Sequence, residues 1–124
     1  MVRLFVVCGS ALCFLGVAVG AFAAHALKDR LQPDLFAAFE VGVRYHIYHA
    51  LGLFALAWLM TQFPHPQLHF AGWLFLVGIV LFSGSLYLLS VTGVRWLGAI
   101  TPVGGVCFLV GWLWVAWCVV KSAG

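Results

Sequence analysis

Four long apolar runs, at about 4–27, 36–61, 70–91 and 96–120, take up nearly all of the 124 residues, and most of the few charged side chains lie at their ends. A helix needs about 20 apolar residues to cross a bilayer; the runs reach that length, but the uncharged part of the second, Tyr45 to Met60, is too short by itself, so Arg44 must sit near or just inside the membrane edge. Soluble domains carry about 25% charged residues, whereas this chain is 7% charged and 65% hydrophobic, with a mean hydropathy of +1.15. A water-soluble fold of this size could not hide so much apolar surface. The reading is an all-α, integral membrane four-helix bundle, a single transmembrane domain over 1–124, with four transmembrane helices and both termini on the same side.

The breaks between the runs support this count. Lys28-Asp29-Arg30 closes the first, and Gln32-Pro33-Asp34 makes a turn in which Pro33 suits the first turn of a following helix. Thr61 to Gln67 holds two prolines, and Thr92-Gly93 with Arg95 separates the last two runs. The first run resembles a signal peptide, with Arg3 before it and Ala21-Phe22-Ala23 near its end. It is longer than a signal core of about 7 to 15 residues, so it is expected to stay as a helix. Trp58, Trp73, Trp112, Trp114 and Trp117 fall toward the Pro64 loop and the C-terminus, with Trp96 alone on the other side, as in an asymmetric aromatic belt. Arg3 and Lys121 flank one face; Lys28, Arg30, Arg95 and Arg44 flank the other. The positive-inside rule therefore favours termini outside.

Small residues mark where helices can approach. Gly16, Gly20 and Ala24 line one face of the first helix, Gly98, Thr101 and Gly105 one face of the fourth, with Gly104 and Gly111 on an adjacent stripe. Ser83-Gly84-Ser85 serves the third. Pro102 either kinks the fourth helix or starts it. Cys8, Cys13, Cys107 and Cys118 lie inside apolar runs without a C-x-x-C pair and read as packing residues. No basic patch with interleaved aromatics exists, so nucleic acid is not an expected partner.

Polar residues gather at one end of the bundle. His25 closes the first helix; Glu40, Arg44, Tyr45, His46, Tyr48 and His49 open the second; Ser83, Ser85 and Tyr87 belong to the third; Arg95 and Thr101 flank the start of the fourth. Alternate helices run antiparallel, so all of these fall in the same half of the membrane. On a helical wheel only Val43, Ile47, Ala50 and Phe54 leave the second helix an apolar strip for lipid, which would turn its polar side toward the bundle or a water-filled pocket. Intramembrane ionisable groups are costly and raise a functional hypothesis. One reading is structural: rings bonded to backbone and to one another, with Glu40 and Arg44 ion-paired at i,i+4. A second is a metal site of His25, His46 and His49, which no Cys or carboxylate completes. A third is a cavity for a small polar solute, lipid headgroup or proton, opening near Arg44 and Arg95. No serine elbow, H-E-x-x-H or phosphate loop is present, so an enzyme is the least supported class, and no cofactor is expected.

Gly20-Ala21-Phe22-Ala23-Ala24-His25, Tyr45-His46-Ile47-Tyr48-His49, Leu81 to Tyr87, and Thr101 to Val106 continuing to Gly111-Trp112 stand in order, one per helix. By these segments the chain resembles the YgdD/YwdK-like family of small four-helix inner-membrane proteins, a domain of unknown function. The resemblance implies a bacterial inner-membrane location, with mitochondrial relatives, and supplies no activity. The family pattern usually has Gly where this chain has Ala23 and often Gln where it has His46, which makes His25 and His49 the better candidates for any role. Basic tails among members imply termini inside, against the charge count. The expectation is a non-enzymatic accessory or assembly protein. A binding or transport module for a small polar ligand or ion at a His25/His49 pocket is the alternative. Membrane lipids, a homo-oligomer or a larger membrane complex are the expected partners.

Overall fold

A computed structural model describes residues 1–122. All regular structure in them is helical. Helix α1 is Val2–Leu27, α2 Pro33–Gln62, α3 His69–Thr92 and α4 Arg95–Ser122. Three of them, α1, α3 and α4, are long and apolar enough to cross a membrane. The second, α2, is 30 residues long and is the helix that carries Glu40, Arg44 and the two central histidines.

The ends follow local chemistry. Gln32 is extended (ψ 148°) and Pro33 takes the first helical position of α2, where a missing N–H costs nothing. Gly93 closes α3 with φ +72° and gives its N–H to the Leu89 carbonyl at 2.8 Å, a left-handed cap that residues with a Cβ resist. Pro102 does not kink a helix. Arg95–Ala99 forms a 3-10 turn, and the α-helix proper runs Thr101–Ser122, so Pro102 stands in its first turn. Wider π turns replace α geometry at Ala23–Leu27 in α1 and Ile79–Ser83 in α3.

Helix α2 is the centre of the bundle, with α1 against one side and α3 against another, while α4 packs on α3. Phe5, Leu53, Leu56, Phe75, Phe108 and Cys118 meet in the main core, and Ala23, Leu27 and Phe39 form a smaller one at the end of α1. Without a hydrophobic drive between helices, close backbone approach must hold them. Gly16 faces Ile47, Gly20 faces Val43, and Gly9 faces Ala50 and Phe54 across the α1–α2 seam. These contacts correct the expected lipid strip: Val43, Ile47, Ala50 and Phe54 pack on α1, because the glycine stripe of α1 needs a partner with large aliphatic knobs. On α4, the tight stripe is Gly104 and Gly111, both buried; Gly105 has only loose contact with the Phe82 ring and Gly98 meets a Leu89 methyl. The two candidate stripes lie side by side on the wheel, and only packing distinguishes them.

Candidate functional site

His46 and His49 are buried and lie on either side of the midpoint of α2. The Nε2 of His46 is 2.8 Å from the Leu12 carbonyl of α1, and its Nδ1 is 2.9 Å from the Tyr87 hydroxyl of α3. A carbonyl can only accept, so Nε2 carries the proton and Nδ1 accepts from Tyr87. His46 thus ties three helices together. His49 has the opposite tautomer. Its Nδ1–H donates to the Tyr45 carbonyl at 2.8 Å, and its Nε2 accepts the Trp112 indole N–H at 3.1 Å. The His49 ring also stacks on Phe108, with centroids 3.5 Å apart and planes 7° apart. Helix α4 is therefore joined to α2 largely through side chains.

The serines are used as fasteners. Ser83 Oγ donates to the Gly42 carbonyl of α2 at 2.7 Å, Ser90 to Leu86, and Ser85 donates to Phe82 while lying 2.6 Å from Thr101 Oγ1 on α4. Among the described residues no buried side-chain nitrogen or oxygen lacks a partner. In hydrocarbon an unpaired polar group is expensive, and this network removes that cost. It also uses up the imidazole lone pairs that a metal would need.

The predicted residues therefore separate into two groups. His46, His49, Ser83, Ser85, Tyr87 and Thr101 are buried or half-buried between the helices, in separate contacts, with His46 on Tyr87 and Ser85 on Thr101. His25 does not join them: it is exposed on the π turn of α1, and no three His, Cys, Asp or Glu side chains gather at metal-binding range among the described residues. His49 instead borders an apolar cleft of about 370 Å³ with Tyr45, Phe82, Phe108 and Trp112, and His25 does not line it. Glu40, Arg44, Tyr45 and Tyr48 are also exposed, because α2 turns its aliphatic strip to α1 and its small and histidine positions to α3 and α4. Glu40 and Arg44 form no ion pair. They border a cleft of about 280 Å³ with Gly20, Ala23, Ala24 and Val43. Arg95 borders a separate polar cleft of about 410 Å³ with Arg30, Gln32 and Thr92. Arg44 and Arg95 thus border two different surface clefts, and neither of these is lined by a histidine.

Two participants escaped the sequence reading. Trp112 counted there as an interface anchor; in the structure it is the His49 donor at the middle of α4. Its position well inside the fourth run was the available signal. Asp34 binds Arg95 at 2.9 Å, closing the α3–α4 loop against the start of α2. No local pattern announces this pair, since its partners are far apart in the chain.

The Arg95 hydrogen bond holds the Asp34 carboxyl below its ordinary 3.8. The folded value is the depressed one. The pair's contribution is therefore complete above the ordinary value and is lost as the pH falls through the lower folded one. Both side chains are more than half exposed, at 67% and 56%, so water and salt screen the pair. Asp34→Asn is expected to leave the unfolding midpoint at pH 7 almost unchanged, with wild type and variant converging below pH 3.8. Thermal melts of both in one detergent, across that range, check this; a wide gap at neutral pH contradicts it.

A family model described as "Protein of unknown function (DUF423)" matches residues 19–105. The chain is 45% identical to the UPF0382 membrane protein YwdK of Bacillus subtilis, over 96% of this chain and 98% of that one. It is 43% identical to a UPF0382 membrane protein of Staphylococcus epidermidis, over 98% and 99%. A UPF0382 membrane protein of Staphylococcus haemolyticus is 41% identical over 90% of each chain. No solved structure matches.

Proposed function

As the chain belongs to the DUF423 family, described only as of unknown function and represented by membrane proteins, we propose from its own residues that it is a four-span protein of the bacterial cytoplasmic membrane with a non-enzymatic accessory or assembly role. The observation that carries this is where the unpaired polar groups lie. Inside the bundle the described polar side chains are paired with backbone carbonyls or with one another, leaving no open ligand shell. Outside, Glu40, Arg44 and Tyr48 project from the uncovered face of α2, which favours action by contact over chemistry in a pocket. At 1.5 Å per residue α2 is about 45 Å long, more than the roughly 30 Å hydrocarbon layer. It lies among three apolar helices, which supports its being a fourth span. Transport through the histidines is disfavoured, since a path would have to break the pairings of His46 and His49.

Two measurements test the reading. Single cysteines at Gln32, Gln67 and Val94, labelled with an impermeant maleimide, are expected to place 32 and 94 on one side and 67 on the other. Labelling of 32 and 67 from the same side would remove the α2 span, and the same data give the orientation of the termini. In native mass spectrometry from mild detergent the chain is expected within an assembly larger than one copy. A lone chain with lipid at every concentration would sink the accessory role.

A further inference from the structure

The outer face of α2 has a regular seam. Val41, Arg44, Tyr48, Leu51, Ala55 and Trp58 follow one another at alternating steps of three and four, and all but half-buried Val41 are exposed. That spacing is the 3.5-residue period of a left-handed helix pair, slightly shorter than the helix's own 3.6. The seam carries polar groups, Arg44 and Tyr48, among apolar ones. Tyr48 is 55% exposed beside the midpoint of a 30-residue helix, and its hydroxyl is bonded to nothing among the described residues. A headgroup lies about 15 Å from the centre of a bilayer whose hydrocarbon is roughly 30 Å thick. A protein partner on this face would give the hydroxyl a bond that acyl chains cannot. Glu40 flanks the seam one turn before Arg44, and the two stay unpaired although i,i+4 spacing would allow contact.

We propose that α2 pairs with the α2 of a second copy, parallel and about a twofold axis normal to the membrane, with Glu40 of each copy bound to Arg44 of the other. The proposal rests on the contact-based function above and names its partner. Two chains inserted the same way round bring equal depths together, so a face that is to serve both copies must complement itself. Glu40 and Arg44 do so: each meets its own counterpart at equal depth, but the long Arg44 side chain can reach back about 6 Å along the axis to Glu40 of the other copy, and the contact forms twice about the twofold. Each removes the other's cost in hydrocarbon. Tyr48 then meets its counterpart's seam, and Ala55 gives the helices room to approach below it.

Charge reversal reads the contact directly. Glu40→Arg and Arg44→Glu are each expected to weaken dimerisation by roughly tenfold or more, measured by energy transfer between differently labelled copies in liposomes. The double reversal restores the pair and should recover dimerisation. Unchanged association in the single variants, or no recovery in the double, overturns the proposal. A second measurement leaves the charges intact. A photoreactive benzophenone side chain replacing Tyr48 is expected to give an adduct of twice the 13.5 kDa chain mass, whereas one replacing Val17 on the outer face of α1 gives none. Crosslinking of position 48 to a different protein would overturn the second copy and leave the accessory role standing. Adducts with lipid only, together with a monomer in native mass spectrometry, would end both.

Discussion

Gly104→Ala is expected to destabilise the protein by about 3 kcal/mol, a cost at the upper end for overpacking, whereas Gly84→Ala is neutral or slightly stabilising. A Cβ on Gly104 would fall on the backbone of Phe82, at its amide nitrogen and Cα. Backbone cannot swing away as the tip of a side chain can, so α3 and α4 must separate. Separation also pulls Phe108 from the groove at Gly78 and Phe75 from Gly111, contacts that contribute much of the α3–α4 attachment. Phe108 is in turn the ring that stacks on His49, so the damage spreads to α2. Gly84 meets nothing within 4 Å; there the methyl group only reduces the freedom of the unfolded chain. Unfolding of both variants in mixed micelles, followed by tryptophan fluorescence, gives the comparison. Equal stabilities would mean that the close approach of α3 and α4 at Phe82 does not matter energetically.

His46→Ala is expected to cost about 2–5 kcal/mol, the range for emptying a large buried site, and His46→Leu about 1–3 kcal/mol, from the polar partner left unpaired. Leucine fills much of the space, but the Tyr87 hydroxyl then loses its acceptor inside hydrocarbon. His46→Gln should be the mildest of the three, because an amide can donate to the Leu12 carbonyl or accept from Tyr87. Membrane hydrogen bonds average about 0.6 kcal/mol in double-mutant cycles, so the leucine variant falls toward the low end if the tyrosine finds another acceptor. Combining His46→Leu with Tyr87→Phe removes both partners and should recover part of the loss. Strict additivity of the two would show that His46 and Tyr87 are not coupled, against the 2.9 Å contact.

These two predictions also mark how far the site was legible. His46, His49, Ser83, Ser85, Tyr87 and Thr101 could be singled out because polar groups inside apolar runs are rare and connectivity sends them to one part of the bundle. Which of them would touch was not legible. His25 fits the same pattern, yet stays outside, because the π turn that ends α1 presents it to the surroundings. Glu40 and Arg44 have ion-pair spacing but no ion pair, and both stay exposed because α2 is rotated to bring its aliphatic strip onto the glycines of α1.

What the chain determines by itself is the solvent and the count. Long apolar runs broken near Pro33, Pro64 and Gly93 require helices, end them close to those points, and make hydrocarbon the natural surroundings of α1, α3 and α4. These effects act over a few residues and can be read along the chain. The rotation of each helix is different. It depends on which of two adjacent small-residue stripes finds a matching knob on another helix, as Gly104 finds Phe82 and Gly16 finds Ile47, and that match exists only between segments far apart in sequence. Tertiary packing therefore decided that His46 and His49 are buried and that Glu40 and Arg44 of α2 stand open.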